Sequence, residues 1–472
     1  MVFNSIEFAI FLPIVVLLFY LLPQKLRWVM LLAASCVFYM WFVPKYILIL
    51  LVTIIIDYSA GILMEKHENE PKKKKTFLVI SIVSTLLVLF IFKYLGFIND
   101  NFVWLCQKLG LDVRTSVNII LPIGLSFHTF QSMSYVIEVY RGNQKAERHF
   151  GYYSLYVMFF PQLVTGPIER PGNLLRQLHE KKDFRYENIS KGMRLILFGL
   201  FIKMVVADHL GAYVDEVYAD PSAYNSWSVM LAMVFYSFQI YCDFFGYSTI
   251  ALGAAKLMGF DISDNFRTPY LAKNIAEFWH RWHISLSTWF RDYVYFPLGG
   301  SRVKFGRWAF NILVVFVLSG IWHGAAWTFL FWGFAHGLLH IVEKALRNRF
   351  PEREVQSKWL SVSLDVLRIA KTFVLVTLFW VMFRATDFAN MRDMFVAAVS
   401  NFGGGQQLAV APAVWLYLGL FILSDLLLFN TRFDAWCEGK PVVLRWAIYA
   451  VLIFMIIACS SVNSFPFIYF QF

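Results

Sequence analysis

Residues 310–340 read FNILVVFVLSGIWHGAAWTFLFWGFAHGLLH, a run without a single Asp, Glu, Lys or Arg. One crossing of a bilayer takes about 20 residues of helix, so the apolar stretch from 308 to 341 is too long for an ordinary span. It breaks at Gly320 and Gly324, which leaves two passes or a kinked pair around His323. Either way the segment belongs in lipid, and it sets the fold class: an all-α polytopic membrane protein. An ionisable side chain inside such a run is costly and reads first as a functional site. Around His323 stand Ser319, Gly320, Gly324, Ala325 and Ala326, small enough to leave room for a substrate or for a neighbouring helix. A buried histidine can also do no more than hydrogen-bond a backbone carbonyl.

Working outward, the whole chain supports this class. Of its 472 residues 59% are hydrophobic, 19% aromatic and only 15% charged, which excludes an ordinary soluble domain. The formal charge of +11 does not call for nucleic acid, because the basic residues sit in short loops between apolar spans, where they set orientation. Cys36, Cys106, Cys242, Cys437 and Cys459 show no paired spacing, so neither a disulfide framework nor a thiolate metal site is expected. The first apolar stretch lacks a basic leader and a small-residue cleavage site and reads as a retained span.

Further spans are expected at 7–22, 28–43, 46–64, 77–97, 119–139, 190–207, 228–257, 366–384, 411–430 and 444–461, giving ten to twelve crossings. The apolar piece Tyr152–Val164 ends in Gly166-Pro167 and reads as re-entrant. Pro122, Gly124, Pro161 and Gly166 inside apolar runs imply broken helices. Lys25 and Arg27 after the first span, and Lys72–Lys75 after the third, place those loops in the cytoplasm and the N-terminus outside. Asp208–Trp227 holds four acidic side chains and no Lys or Arg, which fits the external face, while 165–191, 261–307 and 342–358 are basic and expected at the cytoplasmic side. No internal repeat or soluble domain is visible. The chain reads as one transmembrane domain, 1–472, with N-terminal helices to 140, core motifs over 141–345 and C-terminal helices from 346.

The segment Glu277–Tyr293, EFWHRWHISLSTWFRDY, carries the densest chemistry. Wound as one helix, it places Trp279, Trp282, Leu286, Trp289, Phe290 and Tyr293 on one face and Glu277, His280, Arg281, Ser287, Thr288 and Arg291 on the other. Such a helix can lie in the headgroup layer with its aromatic face in lipid. His283 stands on the border of the faces and can reach inward. Two histidines suit acyl transfer from a thioester to a hydroxyl, which needs a base for the hydroxyl proton and a group to orient the acyl carbonyl. Arg281 and Arg291 can meet the phosphates of a nucleotide-bearing donor through their planar forks, or lipid headgroups. A nucleophile elbow, a Walker loop and a dinucleotide fingerprint are all absent. His336 and His340 have the i, i+4 spacing of metal ligands but no carboxylate or third histidine beside them, so no metal is expected.

Taken in order, Gln131–Arg141 (QSMSYVIEVYR), Phe160–Pro171 (FPQLVTGPIERP), Gln239–Ser248 (QIYCDFFGYS), Phe278–Ser287 (FWHRWHISLS) and Ile321–Gly324 (IWHG) resemble the successive motifs of the membrane-bound O-acyltransferases. The opening Met1–Ser5 and the ending Phe467–Phe472 are similar to the bacterial branch that O-acetylates alginate. This resemblance implies a ring of helices with a thinned centre, where a cytoplasmic donor and an acceptor from the other side meet in a tunnel. It gives His323 the position of the essential histidine and His283 that of the second catalytic one. Trp322, Arg281, Trp282, Arg291, Asp243 and Gln239 become the substrate-binding set. Phe245 and His280 depart from the small residue and the arginine expected there. The implied reaction carries acetyl from acetyl-CoA, a substrate and not a bound cofactor, across the cell (inner or plasma) membrane. Its destination is a cell-envelope or secreted polysaccharide, reached through an SGNH-hydrolase-like partner outside. Two alternatives stand beside it: D-alanyl transfer to teichoic acid from a carrier protein, and a transporter with His323, Asp243 and Lys203 along its pathway. Transporters often carry two half-chains of matching hydropathy, which are not visible here.

Overall fold

The computed structural model describes residues 1–472 apart from 118, 165, 351–356, 430, 460–466 and 469–472. Thr165 of the second motif and the last four residues of the closing one therefore lie outside the described residues. Every regular element among those described is helical, with one isolated bridge, Tyr224 to Gln406. Among the described residues seven helices are long and apolar enough to cross a membrane: Pro44–Lys66, Pro71–Lys108, Tyr186–Ala219, Ser226–Leu257, Phe305–His323, Lys358–Arg384 and Val442–Cys459. Ile6–Leu21 and Pro412–Leu427 are shorter apolar helices. The chain is an all-α polytopic membrane protein. By internal contacts it forms two compact units, residues 1–196 with 248–263, and 197–247 with 264–472.

In the first unit the early motifs serve as internal fastenings. The Gln131 and Gln162 amides both donate to the carbonyl of Tyr156, at 2.6 and 2.7 Å. The carboxylate of Glu169, fully buried, accepts from Asn173 Nδ2 at 2.7 Å and from the Ser263 N–H. Asp57, inside Pro44–Lys66, accepts from the Ser81 and Thr85 hydroxyls, so a carboxyl group within the span is met by hydrogen bonds. The expected span 119–139 is shortened. Gly124, at φ +78°, opens a helix at Leu125 that runs to Arg141, and a Cβ on that glycine would stand 2.6 Å from the Leu163 carbonyl oxygen. The apolar piece after Tyr152 is two short helices, Phe150–Met158 and Phe160–Leu163. At about 1.5 Å per residue neither can cross.

In the second unit the run 310–340 resolves into two helices, Phe305–His323 and Trp327–Arg349, joined by extended backbone at Gly324 and Ala326. They pack antiparallel and backbone to backbone. A Cβ on Gly320 would fall 2.3 Å from the Phe329 carbonyl oxygen, and one on Gly333 2.3 Å from that of Phe316. The small residues around His323 thus admit a neighbouring helix, and the space at Gly324 is taken by the Phe329 ring. His323 is the last residue of its helix.

Candidate active site

Sequence periodicity implies one helix over 277–293; the structure breaks it. Asn274 caps a first helix, Ile275–Arg281, accepting from the Glu277 N–H at 3.0 Å. A second helix spans Ile284–Phe290 and runs on in a wider turn over Arg291–Tyr295. Between them His283 sits in the left-handed region at φ +42°, a conformation costing an L-residue roughly 1–2 kcal/mol. What compensates it is visible in the loop beside it. The Asn265 carbonyl accepts from the Ile284 N–H at 2.9 Å, its side-chain oxygen accepts from the Ser285 hydroxyl at 2.6 Å, and the Arg267 N–H donates to the Arg281 carbonyl at 3.0 Å. Thr268 in the same loop is also left-handed, at φ +45°. Strain held by surrounding hydrogen bonds gathers at functional sites.

The break also redirects the aromatic face. Trp282, Leu286, Trp289 and Phe290 are buried in protein and not in a headgroup layer, and Trp279 is nearly so at 9% exposure. His283 is fully buried. It lies in the 264–304 segment, between the spans, and burial pushes its pKa down to about 3, so the imidazole is neutral at ordinary pH. Its ring meets the edge of Phe244 at 4.7 Å and faces Trp322 at 6.2 Å. Trp322 in turn lies 4.9 Å from His323, whose ring, 3% exposed, packs edge-on to Trp332 at 5.1 Å and to Phe383 at 5.3 Å. Both histidines therefore contact one indole, that of Trp322, within one aromatic cluster.

A cavity of about 310 Å³ lies beside these residues, lined by none of His283, Trp322 and His323 themselves but by their neighbours in sequence. Ile284, the neighbour of His283, and Ser319, one turn before His323, line it, together with Trp279, His280, Ser287, Thr288, Arg291 and His340. An apolar slot with a few convergent polar groups is the usual form of a small-molecule site. Arg291 is half-exposed, lines this cavity and pairs with Asp292 at 2.8 Å. Arg281 is engaged elsewhere. It pairs with Glu277 at 2.9 Å, donates to the Arg267 carbonyl and the Thr268 hydroxyl, and stacks over Phe429.

The other expected substrate-binding residues fall in different surroundings. Trp282 is core, packed between Phe266, Phe278 and Trp380. Gln239 is 9% exposed, its Oε1 buried without a hydrogen-bond partner among the described residues. Asp243, 3% exposed, is bound to Lys203 at 2.6 Å, and Lys203 also holds Asp208 at 2.7 Å. Phe245, the bulky departure in its motif, stacks on Tyr241 at 5.4 Å. The sequence gives His336 only a possible metal-ligand role; the structure sets it beside the aromatic cluster of His323. It is fully buried, accepts from Trp279 Nε1 at 3.3 Å, and shares Trp332 with His323 at a ring distance of 5.0 Å. Among the described residues no group of three metal-binding side chains occurs. The tryptophan four residues before His336 was the available signal, since i and i+4 share a helix face.

A sequence model of the membrane-bound O-acyltransferase family matches residues 145–383, which include His283, His323 and His336. The chain belongs to that family. It is 33% identical to the probable alginate O-acetylase AlgI of Pseudomonas putida over the full length of both chains. It is 32% identical to the peptidoglycan O-acetyltransferase of Helicobacter pylori over 75% of this chain and 70% of that one. The teichoic acid D-alanyltransferase of Bacillus subtilis is 29% identical over 57% of this chain and 70% of its own. The protein is an O-acyltransferase, and the aromatic cluster holding His283 and His323 is its candidate active site.

Proposed function

We propose that this O-acyltransferase takes an acetyl group from acetyl-CoA at the cytoplasmic face and passes it through the membrane for O-acetylation of a cell-envelope or secreted polysaccharide. The carrying observation is that His283 and His323 both contact the Trp322 indole, beside a cavity that Arg291 lines. His323 takes the proton of the acceptor hydroxyl as its oxygen attacks the thioester carbonyl. The carbon–sulfur bond breaks, and that proton leaves with the sulfur as the thiol, so one ester replaces one thioester. His283, neutral, orients the acyl carbonyl, and Arg291 meets the donor's phosphates. An SGNH-hydrolase-like partner on the far side completes delivery. The basic residues Lys72–Lys75, in the first turns of the helix that begins at Pro71, then face the cytoplasm of an inner or plasma membrane and the N-terminus faces outside. Labelling of Ser301→Cys by an impermeant reagent from outside, with Ser222→Cys spared, would reverse that orientation.

The alternative donor, a carrier protein bearing D-alanine, finds support in the teichoic acid relative, whose likeness covers less of the chain. The test is transfer of radiolabelled acetyl from acetyl-CoA into base-labile ester in membranes containing the chain and its neighbouring envelope proteins. His323→Ala should lower it about a hundred- to ten-thousand-fold, the usual worth of a general base, with membrane insertion intact. Equal labelling in both would remove His323 from the reaction, and labelling from D-alanyl carrier protein alone would replace the donor.

A further inference from the structure

Lys203 is 1% exposed and sits between two buried carboxylates, at 2.7 Å from Asp208 and 2.6 Å from Asp243. Three charges inside helices of apolar composition are expensive to desolvate, and apolar replacements of such clusters are often no less stable. Stability is therefore a poor reason for them, and what they hold in place is a better one. The second oxygen of Asp243 accepts from the backbone N–H of Ile468 at 2.7 Å, across 225 positions of sequence. Phe467, fully buried, then lies 4.6 Å from Tyr247 and 5.7 Å from Phe244. Tyr247 is itself under the Lys203 ammonium, at 5.5 Å from ring centre to nitrogen. One contact from the charge cluster is thus made to Ile468, next to Phe467 in the chain, and another to Tyr247, against which Phe467 packs. Phe244, against which Phe467 packs, is the ring whose edge meets His283 at 4.7 Å.

We propose that Asp243 is a positioning residue: it clasps the Phe467–Ile468 stretch behind Phe244 and so fixes where the His283 imidazole stands for acyl transfer. This rests on the acetyl-transfer reading above for its kinetic consequence, but the clasp has a readout of its own. The hydrogen bond needs only a backbone N–H at 468, so Ile468→Pro removes the donor and leaves the carboxylate and its lysine pair untouched, whereas Ile468→Leu keeps it. Displacing a catalytic group by about 1 Å can cost a hundred-fold in rate. Ile468→Pro should therefore lower kcat for labelled acetyl transfer ten- to a hundred-fold with the acetyl-CoA KM unchanged, and Ile468→Leu should restore it.

The independent readout is the rate at which diethyl pyrocarbonate modifies His283 in detergent-purified protein, followed by mass spectrometry of its peptide. It should rise several-fold in Ile468→Pro and stay at the wild-type value in Ile468→Leu. Wild-type kcat with wild-type His283 reactivity in Ile468→Pro overturns the proposal, as does a fall in kcat with His283 reactivity unchanged. If Ile468→Pro does not fold, Phe467→Ala, which removes the packing and keeps the N–H, is read in the same two ways. Should the wild type show no acetyl transfer at all, the enzymatic reading fails by itself, and the His283 reactivity still decides the clasp.

Discussion

Substituting Gly320 by alanine tests whether the helix pair sets the position of His323. The added Cβ would stand 2.3 Å from the Phe329 carbonyl oxygen, whereas real Cβ contacts under 3.0 Å essentially do not occur. The clashing atoms are backbone on both sides, since the Gly333 Cα follows at 3.3 Å, so no rotamer change relieves it. The helices Phe305–His323 and Trp327–Arg349 must separate by about 0.7 Å to bring the 2.3 Å contact to the 3.0 Å limit. His323 lies three residues beyond Gly320 on the same helix and moves with it. A misplacement of this size costs roughly ten- to a hundred-fold in kcat, and overpacking of the pair costs about 1–3 kcal/mol in stability. Gly306→Ala, on the same helix with no heavy atom within 4 Å of the new Cβ, should leave both unchanged or slightly improved. Labelled acetyl transfer and thermal unfolding in detergent measure the two effects side by side. Wild-type kcat in Gly320→Ala would show that the chemistry does not depend on how closely these helices pack, and the assignment of His323 would lose its structural basis.

Two further outcomes follow from the site. His283 has its pKa pushed from 6.5 down to about 3 by burial, so it takes up no proton in the folded protein between pH 5 and 8, on the order of its unfolded titration range. Because the unfolded chain binds that proton first, stability is unaffected above the unfolded value and falls as pH drops from 6.5 toward 3, by at most about 1.4 kcal/mol per pH unit. His283→Gln should lower the transfer rate yet leave the acid limb of its pH profile in place; a displaced limb would show that His283 titrates. The two arginines should separate cleanly. Arg291→Gln should raise the acetyl-CoA KM roughly tenfold at unchanged stability, and Arg281→Gln should cost about 1–2 kcal/mol of stability at unchanged KM. The reverse pattern would place the donor's phosphates at Arg281.

Hydropathy and charge were enough to read the class, because lipid leaves few solutions for a backbone and the apolar runs are long. The same signal misplaced the start of the Leu125–Arg141 helix, since it counts Ile119–Pro122 as apolar without seeing that Gly124 is left-handed and closes against Leu163. His323 stands out in the sequence by its isolation among apolar residues, and the small residues beside it imply the close approach of a helix that the structure shows. Which partner approaches, the Phe329 backbone and ring, depends on how residues 316–337 fold back, which no local pattern records. The resemblance gives Asp243 a substrate-binding role, and its tie to Ile468 across nearly half the chain has no trace in spacing.

A periodic reading winds 277–293 continuously and sends His283 to the border of two faces, with the tryptophans toward lipid. The left-handed residue at φ +42° reverses that outcome. It ends one helix after Arg281, starts another at Ile284, and lets both turn their aromatic side chains into protein. Glycine would take this conformation without strain, yet the position is histidine, fully buried and facing Trp322. Packing alone gives no reason for preferring a strained imidazole to a glycine there. A requirement for that imidazole in the cluster does, and it predicts that His283→Gly is better folded than His283→Ala by about 1 kcal/mol while transferring acetyl no faster. A glycine variant with wild-type transfer would reduce His283 to a turn residue.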